Sequence, residues 1–132
     1  MIALIIDKNG IISEITINKD DMTYLCKKCG LKNCINFECR TEWNVKVEGT
    51  KYNVKLFAKN NGRANSESKY DFPPPVDNEL YFGNCLLINY LNDEISSFTK
   101  EEWLKVYEKL FGGFENLADT VEEDDEEEDE LD

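Results

Sequence analysis

Residues 41–59 read "TEWNVKVEGTKYNVKLFAK", and this stretch decides the fold class. Apolar and polar side chains alternate along both halves, which is the period of a β-strand that buries one face. The apolar positions are Trp43, Val45, Val47, Tyr52, Val54, Leu56 and Ala58. The two halves join at "EGTK". The stretch therefore predicts an antiparallel hairpin with one buried face and one face in water.

The segments on either side predict more strands. "IALII" (2–6) and "IISEITI" (11–17) flank "DKNG". Because Asn9 and Gly10 both tolerate positive φ, they predict a hairpin turn. The first strand of this hairpin is apolar throughout, which favours cover on both faces. "LYFGNCLLINYL" (80–91) predicts a buried strand that contains Cys85.

A short helix is predicted over residues 19–29, with Asn18 or Asp20 as its N-cap. One face of this helix is apolar and contains Met22, Leu25, Cys26 and Cys29. Gly30 suits the left-handed position that follows a helix. The helix therefore places two cysteines in the core.

A longer helix is predicted over residues 100–111. Thr99 and Glu102 have the spacing of a capping box, and Phe98 is placed to pack on Trp103 as a hydrophobic staple. Its apolar stripe contains Trp103, Tyr107, Leu110 and Phe111. Phe114 and Leu117 are expected to fold back over the end of the core.

Residues 60–79, "NNGRANSESKYDFPPPVDNE", have no apolar period and predict a long loop. Three successive prolines favour a short polyproline II segment. The rings around them either seal the edge of the sheet or form a contact surface for a protein partner. The partner-binding candidates are Tyr70, Phe72, Pro73, Pro74, Pro75 and Phe82.

Four of the five cysteines lie in "CKKCGLKNCINFEC", residues 26–39. The spacing C-x2-C-x4-C-x4-C resembles a zinc knuckle with cysteine in the histidine position, so Cys26, Cys29, Cys34 and Cys39 are one candidate metal site. The other interpretation is core packing, because the predicted helix already buries Cys26 and Cys29. In either case we expect reduced thiols or metal ligands and no disulfide framework, and we predict no cofactor.

Charge divides the chain into two parts. Residues 119–132 hold 11 of the 28 acidic residues and none of the 15 basic residues. The rest has a net charge of −2. So dense a run of like charge predicts a disordered tail, which either keeps the protein soluble or, through residues such as Glu126, Glu127 and Glu128, captures a basic partner. Lys27, Lys28, Lys32 and Arg40 form a small basic patch that could bind the tail itself.

Length and composition narrow the class of protein. A chain of 132 residues with 41% apolar residues suggests one domain. No apolar run approaches the ~20 residues of a membrane span, and the N-terminus lacks the basic region of a signal peptide. The chain has no histidine, the commonest general base. Carboxylates such as Asp71, Asp77 and Glu79 are scattered, so we expect no enzyme.

Several motifs together resemble a family of small uncharacterised proteins of nucleocytoplasmic large DNA viruses, the giant viruses. They are "KKCG", "RTEWNVKV", "YDFPPPVDNELYFGNCLLI" and "EEWLKVYEKLFGGFENL" before an acidic tail. The resemblance spans most of residues 26–132. It implies a viral protein that works in the cytoplasm or nucleus of the infected cell, or is packaged in the virion. It implies no established activity.

The sequence thus predicts a single α+β domain, residues 1–118, with a disordered acidic tail, residues 119–132. Two antiparallel hairpins and a further strand form a sheet packed by two helices. The expected function is that of a viral accessory or virion protein that acts through protein–protein contacts, with histone-like or transcription-related proteins as basic partners. Direct nucleic-acid binding is disfavoured because the body is nearly neutral. A zinc-containing nucleic-acid or transcription accessory module is the alternative. Sheet edges and exposed aromatics also permit a homodimer.

Overall fold

A six-stranded antiparallel sheet forms the centre of residues 1–112, the part of the chain that the computed structural model describes. The strands are β1 (Ile2–Ile6), β2 (Ile12–Thr16), β3 (Phe37–Val47), β4 (Thr50–Lys59), β5 (Phe82–Leu91) and β6 (Glu94–Ser96). The helices are α1 (Met22–Lys28) and α2 (Lys100–Gly112). The strand order is β2-β1-β5-β4-β3, with β6 paired to β5. The predicted α+β class is confirmed. The domain boundary at residue 118 and the acidic tail lie outside the described residues.

Both predicted hairpins form. In the β1–β2 turn the Asp7 carboxylate accepts hydrogen bonds from the N–H groups of Asn9 at 2.9 Å and Ile11 at 3.0 Å. Only Gly10 has a positive φ there, although Asn9 also tolerates one. The β3–β4 turn has positive φ at both Glu48 and Gly49, the pattern of a type I′ turn. The β3–β4 hairpin starts at residue 37, four residues earlier than its alternation predicts.

The sheet is covered on both faces, so the protein has two apolar layers. Leu87 and Cys85 of β5 belong to the layer under α2, whereas Leu86 and Ile88 belong to the layer under α1. In β1, Leu4 and Ile6 belong to the layer under α2 and Ala3 to the layer under α1, as the apolar run of this strand predicts. The prediction that the second face of the β3–β4 hairpin is wet is wrong near its open end. There Phe57 is buried with its ring 6.2 Å from that of Phe37.

Helix α2 begins as the sequence predicts. Thr99 N–H donates to the Glu102 carboxylate at 2.9 Å, and Glu102 N–H donates to the Thr99 hydroxyl at 3.1 Å. Phe98 packs on Trp103 with ring centroids 6.3 Å apart, and the Trp103 ring lies 5.6 Å from that of Trp43. The apolar stripe also includes Val106, which is fully buried and which the sequence analysis omitted. The expectations for Phe114 and Leu117 lie outside the described residues.

Helix α1 is shorter than predicted. Its N-cap is Asp21, whose carboxylate accepts from Tyr24 N–H at 3.0 Å, so the assignment of Asn18 or Asp20 as the cap is wrong. The end agrees with the prediction, because Gly30 has φ +84° and its N–H bonds to the Lys27 carbonyl. Leu25 is buried as expected, while Met22 at the start of the helix is 39% exposed.

A disulfide joins Cys26 of α1 to Cys34 in the connection to β3, with their Cα atoms 5.9 Å apart. The prediction of reduced thiols is therefore wrong for this pair. The reason is that the chain reverses direction at Gly30 and returns over the helix, which places Cys34 against Cys26. Cys29 and Cys85 are buried free thiols, and Cys39 is an exposed one. Burial raises the pKa of Cys29 well above its usual range and that of Cys85 to about 12.

The disulfide between Cys26 and Cys34 should stabilise the folded protein. It closes a short loop, and the chain-entropy argument gives about 2.5 kcal/mol of stabilisation for such a loop. Cys34→Ser should therefore lower the free energy of unfolding by about 2.5 kcal/mol in urea titrations without reductant. With dithiothreitol the variant and the parent should coincide. A difference that does not depend on reductant would show that the serine acts through packing instead.

The three free thiols should differ sharply in reactivity. Because the thiolate is the reactive species, Cys29 and Cys85 should resist Ellman's reagent in the folded protein even at pH 9. We expect one fast thiol, Cys39, in native protein, and all three thiols in denaturant without reductant. Cys39→Ser should leave no fast thiol. Rapid reaction of all three thiols before unfolding would contradict the burial of Cys29 and Cys85.

Candidate functional site

A groove of about 700 Å³ lies at the end of the sheet where β4 ends and β5 begins. One wall consists of residues 31–36, in the connection from α1 to β3, and the other of residues 59–66, after β4. Phe82 and Gly83, at the start of β5, lie between the walls. We call this feature the basic groove. It lies beside the only disulfide of the described residues, which closes the loop that forms the first wall.

The floor of the basic groove depends on glycines that allow close packing. A Cβ on Gly83 would lie 3.1 Å from the Leu31 side chain, and Gly83 also has φ +75°. A Cβ on Gly62 would lie only 2.9 Å from the Phe82 Cβ, which real structures do not tolerate. A side chain at either position would therefore push the wall away from the floor. These contacts fix the distance between Phe82 and both walls.

Hydrogen bonds hold the walls to each other and to the sheet. Lys59 Nζ donates to the Asn33 carbonyl at 3.1 Å, which links the two walls directly. Gly83 N–H donates to the Ser66 carbonyl at 2.7 Å, and the Ser66 hydroxyl donates to the Arg63 carbonyl at 2.6 Å. On the helix side, Asn84 donates its amide to the Cys29 carbonyl at 2.8 Å and so ties the end of α1 to β5.

The basic groove carries positive charge without acidic neighbours in its lining. Its charged lining residues are Lys32, Lys59 and Arg63. Within residues 1–112 one ion pair forms, Lys105–Glu48, and it lies outside the groove. The sequence has no acidic residue in 22–37 or 49–66, the two segments that supply the walls. The groove therefore favours an anionic ligand.

Apolar surface lies beside these charges. Ile35 is 67% exposed, and Phe82 and Leu31 are half-buried. An inorganic anion would leave this surface in water, whereas a peptide with acidic and aliphatic side chains would cover it. The chemistry of the groove therefore fits an acidic peptide better than a small ion.

Only part of this site was predicted from the sequence. Of the predicted basic patch, Lys32 lies in the groove, while Lys27 and Lys28 are exposed near the end of α1. The Arg40 guanidinium is half-buried and donates to the carbonyls of Asn36 and Ala58, so it supports β3 instead of facing a ligand. Lys59 and Arg63 were missed. The two acid-free segments are the signal that could have revealed them.

The aromatic candidates of the long loop divide between core and surface. Phe72 is 3% exposed, and its ring lies 4.9 Å from that of Tyr70 and 6.0 Å from that of Tyr81. Trp103 Nε1 donates to the Tyr70 hydroxyl at 2.9 Å, and burial raises the pKa of Tyr70 to about 12. The rings of the loop thus close the layer under α2, while its backbone pairs with the start of β5, where Ser68 N–H donates to the Tyr81 carbonyl at 2.7 Å. Phe82 is the exception, because it reaches the basic groove.

The three prolines form a turn. Val76 N–H donates to the Pro73 carbonyl, and the peptide bond between Pro74 and Pro75 is cis. The expected polyproline II segment is therefore wrong. Pro73 is buried, so it and Phe72 do not offer a contact surface in this conformation, whereas Pro74 and Pro75 are exposed.

The four cysteines of the candidate zinc site do not converge. Cys26 and Cys34 form the disulfide, Cys29 is buried at the C-terminal end of α1, and Cys39 is an exposed residue of β3. Across residues 1–112, no three cysteine or carboxylate side chains form a group that could hold a metal ion.

A second depression, of about 570 Å³, lies on the outer side of α2 and is more open. It exposes Leu104 and Phe111 beside Glu101, Lys105 and Glu108. Both signs of charge are present, so this surface does not select a ligand by charge.

The remaining candidates, Glu126, Glu127 and Glu128, lie outside the described residues. Neither helix within residues 1–112 is long and apolar enough to cross a membrane. The chain matches no protein-family model, no curated protein and no solved structure. The resemblance to small giant-virus proteins therefore stays a prediction from the motifs quoted above.

Proposed function

We propose that this protein is a non-enzymatic binding protein that acts through protein–protein contacts, with residues 119–132 engaging basic partners such as histone-like or transcription-related proteins. The observation that carries this proposal is the separation of charge along the chain. Residues 1–112 contain all 15 basic residues and 16 acidic ones, a net charge of −1. Residues 119–132 contain 11 acidic residues and no basic one.

The close spacing of its carboxylates makes the segment 119–132 a strong ligand for cationic partners. An extended chain advances at most ~3.6 Å per residue, whereas the Debye length at 0.15 M salt is about 8 Å. Neighbouring carboxylates therefore add their potentials before salt screens them. A partner with clustered lysine or arginine side chains gains from several of these charges at once, and its association is accelerated.

The resemblance to small giant-virus proteins supports the biological setting of the proposal. In that setting the protein is a viral accessory or virion protein that meets its partners in the cytoplasm or nucleus of the infected cell. Both compartments offer abundant basic proteins that bind nucleic acid. A homodimer is compatible with the proposal and is not required by it.

Protein contacts are favoured over the zinc-containing nucleic-acid module for two reasons. The disulfide takes two of the four sulfur ligands that the module needs. The basic groove offers only three cations, and the affinity for a nucleic-acid backbone depends on the number of phosphates that a protein neutralises.

The test compares the full chain with a variant of equal length in which every aspartate and glutamate of residues 119–132 is changed to asparagine or glutamine. Each immobilised protein is incubated with purified core histones at 0.15 M salt. We expect the parent to retain histones and the neutral variant to lose at least about tenfold in affinity, because the multiple charge contacts are removed. Binding by the parent should also fall steeply at 0.5 M salt.

The control is a variant with the same eleven acidic residues in shuffled order within 119–132, which should bind as well as the parent if charge density is what matters. Equal histone binding by the parent and the neutral variant would rule out the segment as the binding element.

A further inference from the structure

We propose that the basic groove is a binding site for an acidic peptide, and that its occupant within this protein is the chain's own segment 119–132. This inference goes beyond the proposed function, because the groove can bind that segment whether or not a basic partner also does. The groove and the segment lie in different parts of the chain. The consequence is an intramolecular contact that competes with partners.

The charges of the two surfaces are complementary. Lys32, Lys59 and Arg63 line the groove without any carboxylate in its lining. Lys32 and Arg63 make no side-chain hydrogen bond or ion pair to another residue of 1–112, so their charges are available to a ligand. The segment supplies eleven carboxylates and no cation that would compete for them. Binding would bring opposite charges together within a concave surface, where field lines are focused.

The apolar parts also match. Ile35 projects from the first wall with 67% of its surface exposed, and the Phe82 ring is half-buried between the walls. The acidic segment carries Val121 and Leu131 at its two ends, with the acidic run between them. An aliphatic side chain against Ile35 or Phe82 would remove apolar area from water and so add to the charge contacts.

The length of the connection permits the contact. Residues 113–118 link the end of α2 to the segment and can span at most ~20 Å when extended. The whole of residues 113–132 can span at most ~65–70 Å. A folded unit of 112 residues has a radius of gyration of about 13 Å, so any point on its surface lies within this reach. Covalent connection also raises the local concentration of the segment towards the millimolar range.

Another pair of lysines gives a matched comparison. Lys46 and Lys51 face each other across β3 and β4, and both are exposed. They provide two cations, as Lys32 and Lys59 do, but they line neither the basic groove nor the depression on α2. Simple charge attraction predicts similar contact of the segment with both pairs. The proposal predicts a preference for Lys32 and Lys59.

Carbodiimide cross-linking of the full chain tests this preference. The reagent joins a lysine amine to a carboxylate only when the two are in contact, and mass spectrometry maps the link. We expect Lys32 and Lys59 to be linked to residues 119–132 at least about threefold more often than Lys46 and Lys51, and the links to fade in 1 M salt. Equal linking of both lysine pairs would overturn the proposal.

Two further arms make the test specific. Arg63→Gln removes a groove cation that the reagent cannot link, and it should reduce the links at Lys32 and Lys59, whereas Lys51→Gln should leave them unchanged. An equal mixture of ¹⁵N-labelled and unlabelled protein identifies links between chains. Links mainly between chains would show that the occupant is a second copy and would overturn the intramolecular claim. Far-UV circular dichroism and thermal melting confirm that each variant is folded.

A binding experiment measures the competition directly. The probe is a fluorescent peptide with the sequence of residues 119–132, titrated with either the full chain or the neutral-segment variant of the same length. We expect the neutral variant to bind the peptide at least about fivefold more tightly, because its own segment no longer occupies the groove. Adding Arg63→Gln to the neutral variant should remove this gain, and adding Lys51→Gln should not. Equal affinity of parent and neutral variant would contradict occupancy of the groove. This outcome is independent of whether histones bind.

Discussion

The rest of the structure depends on one constraint, which is that the central strand β5 is apolar on both faces. Leu87 faces the layer under α2, and Leu86 and Ile88 face the layer under α1. Each such side chain stabilises the fold by roughly 1.5–3 kcal/mol only if it is removed from water. The sheet must therefore be covered twice, and the chain has to supply two covers from segments outside the strands. The placement of both helices, of the long loop and of the groove follows from this requirement.

The two helices cover the faces of the sheet unequally. The basic groove lies beside the shorter helix, α1. Helix α2 has 13 residues, a complete capping box and Trp103 packed against Trp43. Helix α1 has 7 residues, which is too short to be stable by itself, so it is held by the disulfide and by the Asn84 side chain at its end. The connection from α1 to β3 then crosses the end of the sheet as a wall and leaves Phe82 half-covered. The basic groove thus results from the way in which the short, anchored helix α1 covers its face of the sheet.

Local signals in the sequence predicted most of the fold and little of the site. The alternation of residues 41–59, the turn at Gly10 and the capping box at Thr99 each depend on neighbours in sequence, and all three are confirmed. The burial of Phe72 depends on contacts between separated segments, which no local period encodes. The disulfide and the turn of the three prolines join residues close in sequence, but neither follows from an apolar period. Lys59 and Arg63 join Lys32 because the open end of the β3–β4 hairpin brings together the segments before β3 and after β4. The lack of acidic residues in both segments and the pairing of this hairpin were visible in the sequence, whereas the position of Phe82 between the two segments was not.

If the acidic segment binds both the groove and a basic partner, thermodynamic linkage sets the size of the effect. Each exposed ion pair contributes ~0.2–1 kcal/mol, so contacts to three groove cations amount to about 0.6–3 kcal/mol. A coupling of that size changes affinity by about 3–150-fold. With this coupling, an isolated lysine on an unrelated protein would not displace the segment from the groove. A dense cluster of cations would displace it. By reciprocity a partner that captures the segment empties the groove by the same factor, which would expose Ile35 and Phe82. The weak contact would then act as a threshold for charge density, and a stronger groove would lose that selectivity.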